Sequence, residues 1–143
     1  MAFTEDEAAY LKSQPLARLA TVDADGQPDV VPVGFEFDGT YFYVGGRAPE
    51  RTRKFLNVKA GQAKVALVVD DLVSTDPWTP RFLRVYGTAE LTELTERPGR
   101  FGAGPYLRIT PEISWSWNLD GRPYGGGDAF QSGPHRTVHR REP

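Results

Sequence analysis

Apolar residues recur along this chain in short bursts, at two different periods. Near the N-terminus the spacing is helical: Phe3, Ala8, Leu11 and Tyr10 fall on one side of a turn. Thr4 followed by Glu7 has the form of a capping box, in which each side chain bonds the other's backbone N–H. Pro15 ends that segment. The period then becomes two. Residues 17–22 read as a strand and Asp25-Gly26 as a hairpin turn. Residues 30–37 alternate without a break, with Val31, Val33, Phe35 and Phe37 on one face and Val30, Pro32, Gly34 and Glu36 on the other. Asp38-Gly39 is a second hairpin signal, and residues 41–44 pair back across it. A helix starts near Pro49, and Gly61 is placed to cap it in left-handed backbone.

Residues 64–69 are apolar enough for a strand buried on both faces. Residues 70–80 read as a polar loop carrying Trp78 and two prolines. Residues 82–91 alternate again, Leu83, Val85, Gly87, Ala89 and Leu91 against Arg84, Tyr86, Thr88 and Glu90. Residues 92–105 are punctuated by Pro and Gly, with room for a short helix. Residues 106–109 and 113–119 give a last strand pair or one bent strand, Trp115 and Trp117 sharing a face. From Asp120 the composition shifts to Gly125-Gly126-Gly127, Gln131-Ser132-Gly133-Pro134 and Arg140-Arg141. This divides the chain into a domain over 1–121 and a mobile tail over 122–143. About six strands, two hairpin turns and two or three helices predict a mainly β fold with peripheral helices, an antiparallel barrel.

Composition narrows the partners. The 143 residues are 39% hydrophobic and 25% charged, as in one folded domain. Fifteen glycines and twelve prolines favour turns and short strands. With no cysteine there is no disulfide frame, thiolate nucleophile or thiolate metal site, which fits a reducing cytoplasm. Glu5, Asp6, Glu7 and Lys12 exclude a leader-like apolar start, and no apolar run is long enough for a membrane span. A net charge of -2 speaks against nucleic acid as a partner.

Against that acidic background, residues 47–59 stand out. Arg47, Arg51, Arg53, Lys54 and Lys59 face one acid, Glu50, for a local net charge of +4. On a helix from Pro49, Arg53, Asn57 and Lys54 share an arc of about 100°. Thr52, Phe55, Leu56 and Val58 turn toward a core. A strand, the Gly45-Gly46 break and a helix start rich in Arg, Lys and Thr make either a phosphate site or a solvated basic face. Pro32 and Gly34 make either a flat stretch for a planar ring or an edge strand with a bulge. Trp78 suits contact with a partner subunit. His135 and His139 lie four apart with no third ligand nearby, so no metal site is expected. No nucleophile motif is present.

These pieces, in this order, resemble the pyridoxamine-phosphate-oxidase-like split-barrel family, in particular its coenzyme F420-dependent branch. The resemblance rests on Ala17-Arg18-Leu19-Ala20-Thr21-Val22, Asp25-Gly26-Gln27-Pro28 leading to Val31-Pro32-Val33, and Thr52-Arg53-Lys54-Phe55-Leu56-Asn57-Val58. Val85-Tyr86-Gly87-Thr88-Ala89-Glu90-Leu91, Thr110-Pro111-Glu112-Ile113 and Ser116-Trp117 complete it. It implies a six-stranded antiparallel split β-barrel that forms a homodimer and binds a flavin or deazaflavin between subunits. The implied cofactor residues are Val31, Pro32 and Val33 against the ring, and Arg47, Thr52, Arg53, Lys54 and Asn57 around the phosphate. Trp78 and Arg81 would come from the other subunit. The implied activity is hydride transfer between reduced coenzyme F420 and a conjugated organic acceptor such as an enone or quinone. The alternatives are an FMN-binding reductase or oxidase, or a non-catalytic flavin- or haem-binding protein. The longer N-terminal segment and the Arg-x-His-type substrate signature of the flavin-dependent oxidase are not found, so pyridoxamine phosphate oxidation is not implied. A hydride enzyme needs few protein acids or bases, because the cofactor carries the hydride. Which acceptor is reduced depends on pocket shape.

Overall fold

The capping box forms. In the computed structural model, Glu7 N–H donates to Thr4 Oγ1 at 3.1 Å and Thr4 N–H to Glu7 Oε1 at 2.9 Å, opening helix α1 (Glu5–Ser13). The structure describes residues 2–45, 49–95, 102–123 and 133–139. Strand β1 (Leu16–Val22) pairs antiparallel with β2 (Pro28–Gly34). Short strands β3 (Glu36–Phe37) and β4 (Phe42–Val44) follow. A 3-10 turn (Pro49–Arg51) leads into α2 (Arg53–Lys59), which Gly61 ends with a φ of 102°. Then come β5 (Lys64–Thr75), β6 (Trp78–Leu94), β7 (Gly104–Trp117) and β8 (His135–Val138).

All eight described strands form one sheet in the order β2-β1-β5-β6-β7-β4-β3, with β8 also paired to β7. Its two end strands, β2 and β3, are separated in sequence by Phe35 alone. The sheet must therefore curl until its ends approach, and the result is an antiparallel split-barrel fold with two helices on its periphery. Leu19, Leu67, Val85, Leu107 and Ile109 fill the inside from alternate positions of their strands, and Phe55 of α2 joins them.

The alternation over 30–37 predicts faces better than continuity. Val31, Val33, Phe35 and Phe37 all pack on the core, yet the chain bends after Gly34 and passes from one end of the sheet to the other. Three sequence expectations change. Residues 70–80 are the outer arms of the β5–β6 hairpin, not a loop; their polarity reflects a ribbon in which Thr79 alone is buried. Residues 64–69 bury one face, through Val65, Leu67 and Val69, while Ala66 and Val68 are only half-buried. Of the two forms expected for residues 106–119, the structure takes the single strand, with a bulge: Tyr86 opposes Ile113 and Gly87 opposes Pro111, leaving Glu112 extra. Gly87 makes this possible, since a Cβ there would lie 2.5 Å from the Thr110 carbonyl oxygen. The stretch expected to be a mobile tail supplies β8.

Candidate functional site

The register sets the outward-facing residues of six strands in rows, because directly opposed residues share a face. One row runs Val30, Ala20, Ala66, Tyr86, Ile113, Val138. The next runs Pro32, Arg18, Val68, Arg84, Trp115, Arg136. The first row is apolar throughout but does not belong to the core: Val30 is 65% exposed, Tyr86 46% and Val138 39%. Ala20 and Ala66 lie between the larger Val30 and Tyr86, and there the face sinks into a groove of 340 Å³. Lys64 and Glu112 stand on its lining, the latter brought there by the bulge. Tyr86 meets Trp115 edge-on at 4.8 Å, and the Arg84 guanidinium lies 4.3 Å over the Trp115 ring.

Helix α2 packs on the inner side of β1, its Phe55 and Val58 in the core. Its Asn57 donates from Nδ2 to Thr21 Oγ1 of β1 at 2.9 Å, and both residues are buried. Asn57 is therefore turned inward, while Leu56, expected in the core, is 43% exposed. Arg53 is exposed and Lys54 half-buried. Burial lowers the proton affinity of the Lys54 amine, and the charge of Asp29 on β2 partly offsets this. Lys54 makes no direct ion pair among the described residues, so its half-buried ammonium has only the through-space charge of Asp29 to offset its lost hydration. The Thr52 hydroxyl donates to the Pro49 carbonyl at 2.6 Å and makes no helix-capping bond. Arg47 lies outside the described residues.

On β2, the Val31 and Val33 side chains point to the core and Pro32 is exposed on the outer row. Trp78 sits at the tip of the β5–β6 hairpin, opposite Thr75 and 51% exposed. Arg81 is held in a fork: Nε is 3.0 Å from Asp71 Oδ1 and Nη2 is 2.7 Å from Oδ2. The Tyr10 hydroxyl of α1 donates to the same Oδ1 at 2.8 Å. The hydrogen bond from Arg81 is the chief reason the Asp71 carboxyl titrates below its usual range, and burial holds the Tyr10 hydroxyl protonated. The structure thus sets Lys54 beside β2 and gives Arg81 a partner within the same chain. The groove, Tyr86, Lys64 and Glu112 escape sequence reasoning, because register and bulge cannot be read from any one strand. No group of three or more metal-ligating side chains occurs among the described residues.

The family model for pyridoxamine 5'-phosphate oxidase matches residues 3–112. The chain belongs to the pyridoxamine 5'-phosphate oxidase family. Within it, the chain is 42% identical over 125 residues to a 5a,11a-dehydrotetracycline/5a,11a-dehydrooxytetracycline reductase of Streptomyces rimosus, covering 85% of this chain and 87% of that one. A solved structure from Lactobacillus delbrueckii, described as a candidate pyridoxamine 5'-phosphate oxidase, is 28% identical with a TM-score of 0.60, over 79% of this chain and 93% of its own. A structure titled F420 reductase shares the fold at 22% identity and a TM-score of 0.54, over 71% of this chain and 90% of its own. Like these relatives, this family member is built on a curled antiparallel sheet. No described helix is long and apolar enough to cross a membrane.

Proposed function

We propose that this chain is an oxidoreductase in which reduced coenzyme F420 delivers a hydride to a conjugated organic acceptor of the enone or quinone type. The oxidoreductase class is supported by the reductase relative at 42% identity. The observation that carries the cofactor reading is Lys54. A half-buried ammonium that makes no direct ion pair among the described residues, next to exposed Arg53 and close enough to Asp29 of β2 to feel its charge, is a fitting place for a phosphate. The cofactor, when bound, supplies the hydride. The protein's part is positional. Lys54 and Arg53 hold the phosphate, the backbone of Val31-Pro32-Val33 backs the ring, and Thr52 and Asn57 fix α2 in place. The apolar outer row excludes water once a second copy covers it. The working unit in this reading is a homodimer in the cytoplasm, with Trp78 reaching the partner.

One observation favours FMN as the second reading. The case for coenzyme F420 over FMN rests on cations beyond the phosphate, for the carboxylate-rich tail. Arg81, one of those cations, is already paired with Asp71. Arg84 has no carboxylate partner among the described residues, and Arg51 is exposed. Titration of the purified protein with both cofactors at matched salt decides between them. We expect coenzyme F420 to bind at least tenfold more tightly, a gap of about 1.4 kcal/mol. Equal or tighter binding of FMN would move the chain to the FMN-dependent reading.

A further inference from the structure

One cluster of titratable groups lies outside the site described above, where half-buried His139 beyond β8 meets buried Ser114 and Glu7. Ser114 Oγ and His139 Nε2 are 2.8 Å apart, and the His139 backbone N–H donates to the Glu112 carbonyl at 2.8 Å. The Phe3 ring lies 4.4 Å from the imidazole and is itself edge-on to Phe37 and Phe42. Glu7, 1% exposed, is near enough for its charge to act on the imidazole. Its Oε1 accepts from Thr4, and its Oε2 has no hydrogen-bond partner.

A serine, a histidine and a carboxylate together invite comparison with a nucleophilic triad. Ser114 is 0% exposed, so no substrate reaches its hydroxyl. What the cluster does is hold a strand. β8 has four residues, too few to stay paired on backbone bonds alone. Its burial comes from Thr137, 2% exposed, and from the His139 contacts. The family match ends at residue 112, so β8 and the 113–116 segment it pairs with both lie beyond it.

We infer that His139 is an acid-sensitive latch, which docks the C-terminal strand on β7 while neutral and releases it on taking up a proton. The groups acting on the imidazole are Glu7 from α1, the Ser114 hydroxyl from β7 and the Phe3 ring near the start of the chain, with the amino-terminal charge acting through space. The Glu112 carboxylate is engaged with Thr88. Burial is the largest influence and lowers the proton affinity of His139; Glu7 opposes it and the amino-terminal charge adds to it. Above the free value of about 6.5 both docked and released His139 are neutral, and docking is at full strength. Below it the released strand is protonated first, and docking weakens until the depressed docked value is reached. Release takes Arg136 and Val138 off the outer rows.

The chain has no cysteine, so Thr137→Cys places a single thiol under the strand. Labelling by a dithiodipyridine, compared with the urea-unfolded protein at the same pH, measures protection. Protection should fall about fivefold or more between pH 7.5 and 5.5 while far-UV circular dichroism stays unchanged. In a His139→Gln background, which retains an N–H for Ser114 but gains no proton, protection should be flat. Amide exchange of residues 135–139 in the unmodified protein, corrected for intrinsic rates, should show the same fall. An equal loss in both backgrounds, or no loss without His139→Gln, overturns the latch.

Discussion

Lys54 and Asn57 show how far single residues could be read in advance. Both were placed on one arc of α2 by spacing, and the structure separates them: Lys54 is half-buried beside Asp29, and Asn57 is fully inside. A seven-residue helix has no long apolar stripe to fix its rotation. Its orientation is set instead by Thr21, thirty-six positions away, which offers Asn57 a buried acceptor. Asn57→Ala leaves that hydroxyl buried without its donor and should cost about 1–3 kcal/mol of stability by urea denaturation. Lys54 answers to a different measurement. The double variant Arg53→Ala, Lys54→Ala should stay folded and lose cofactor affinity, each charge-assisted contact contributing about 1.5–3 kcal/mol. Fluorescence quenching gives the affinity, which should also fall with salt in the parent protein. An unchanged dissociation constant in the double variant would remove α2 from the cofactor site.

Among the elements, the long β5–β6 hairpin was the hardest to foresee and the alternating strands the easiest. Residues 82–91 alternate in sequence and, up to Ala89, alternate in burial, because one face must meet the core. The hairpin arms meet little of the core, so their polarity looks like a loop. What holds the arms is a side-chain fork. Asp71 opposes Arg81 in register, bonds it twice and also accepts from Tyr10 of α1. The Asp71 carboxyl is held below its ordinary value, so its contribution is complete above an unfolded value of about 3.9 and disappears as pH falls through the folded one. Asp71→Asn should therefore lower stability at neutral pH and flatten the acid limb of the stability curve, as followed by thermal melts from pH 7 down to 2. The β7 bulge is tested at Gly87. Gly87→Ala pushes a methyl toward the Thr110 carbonyl, backbone that cannot step aside, and should cost about 1–3 kcal/mol.

At the scale of the whole molecule, the barrel carries its apolar surface on both sides of one sheet. The inner side is the core. The outer side is the row from Val30 to Val138, with Trp115 and Arg84 alongside and Trp78 at the hairpin tip. Sequence reasoning singled out Trp78 but neither Tyr86 nor the alignment of the outer row, which comes from the register of six strands. An exposed, aligned apolar face of this kind is disfavoured in a lone small domain and suits a partner surface. The same face contains the groove and adjoins β2, so a second copy laid across it would turn an open depression into a walled site. A stable pair needs about 800 Å² buried per subunit. The protein should therefore sediment as a dimer at micromolar concentration. Tyr86→Arg is the discriminating change. Tyr86 is 46% exposed, so the substitution leaves the core intact and puts a charge in the middle of the outer row. It should shift sedimentation to the monomer and, in the same preparation, weaken cofactor binding at least tenfold, about 1.4 kcal/mol, since half of the site's walls are lost. A parent protein that sediments as a monomer and still binds cofactor at full affinity would detach the site from the outer face and confine it to α2 and β2 of a single chain.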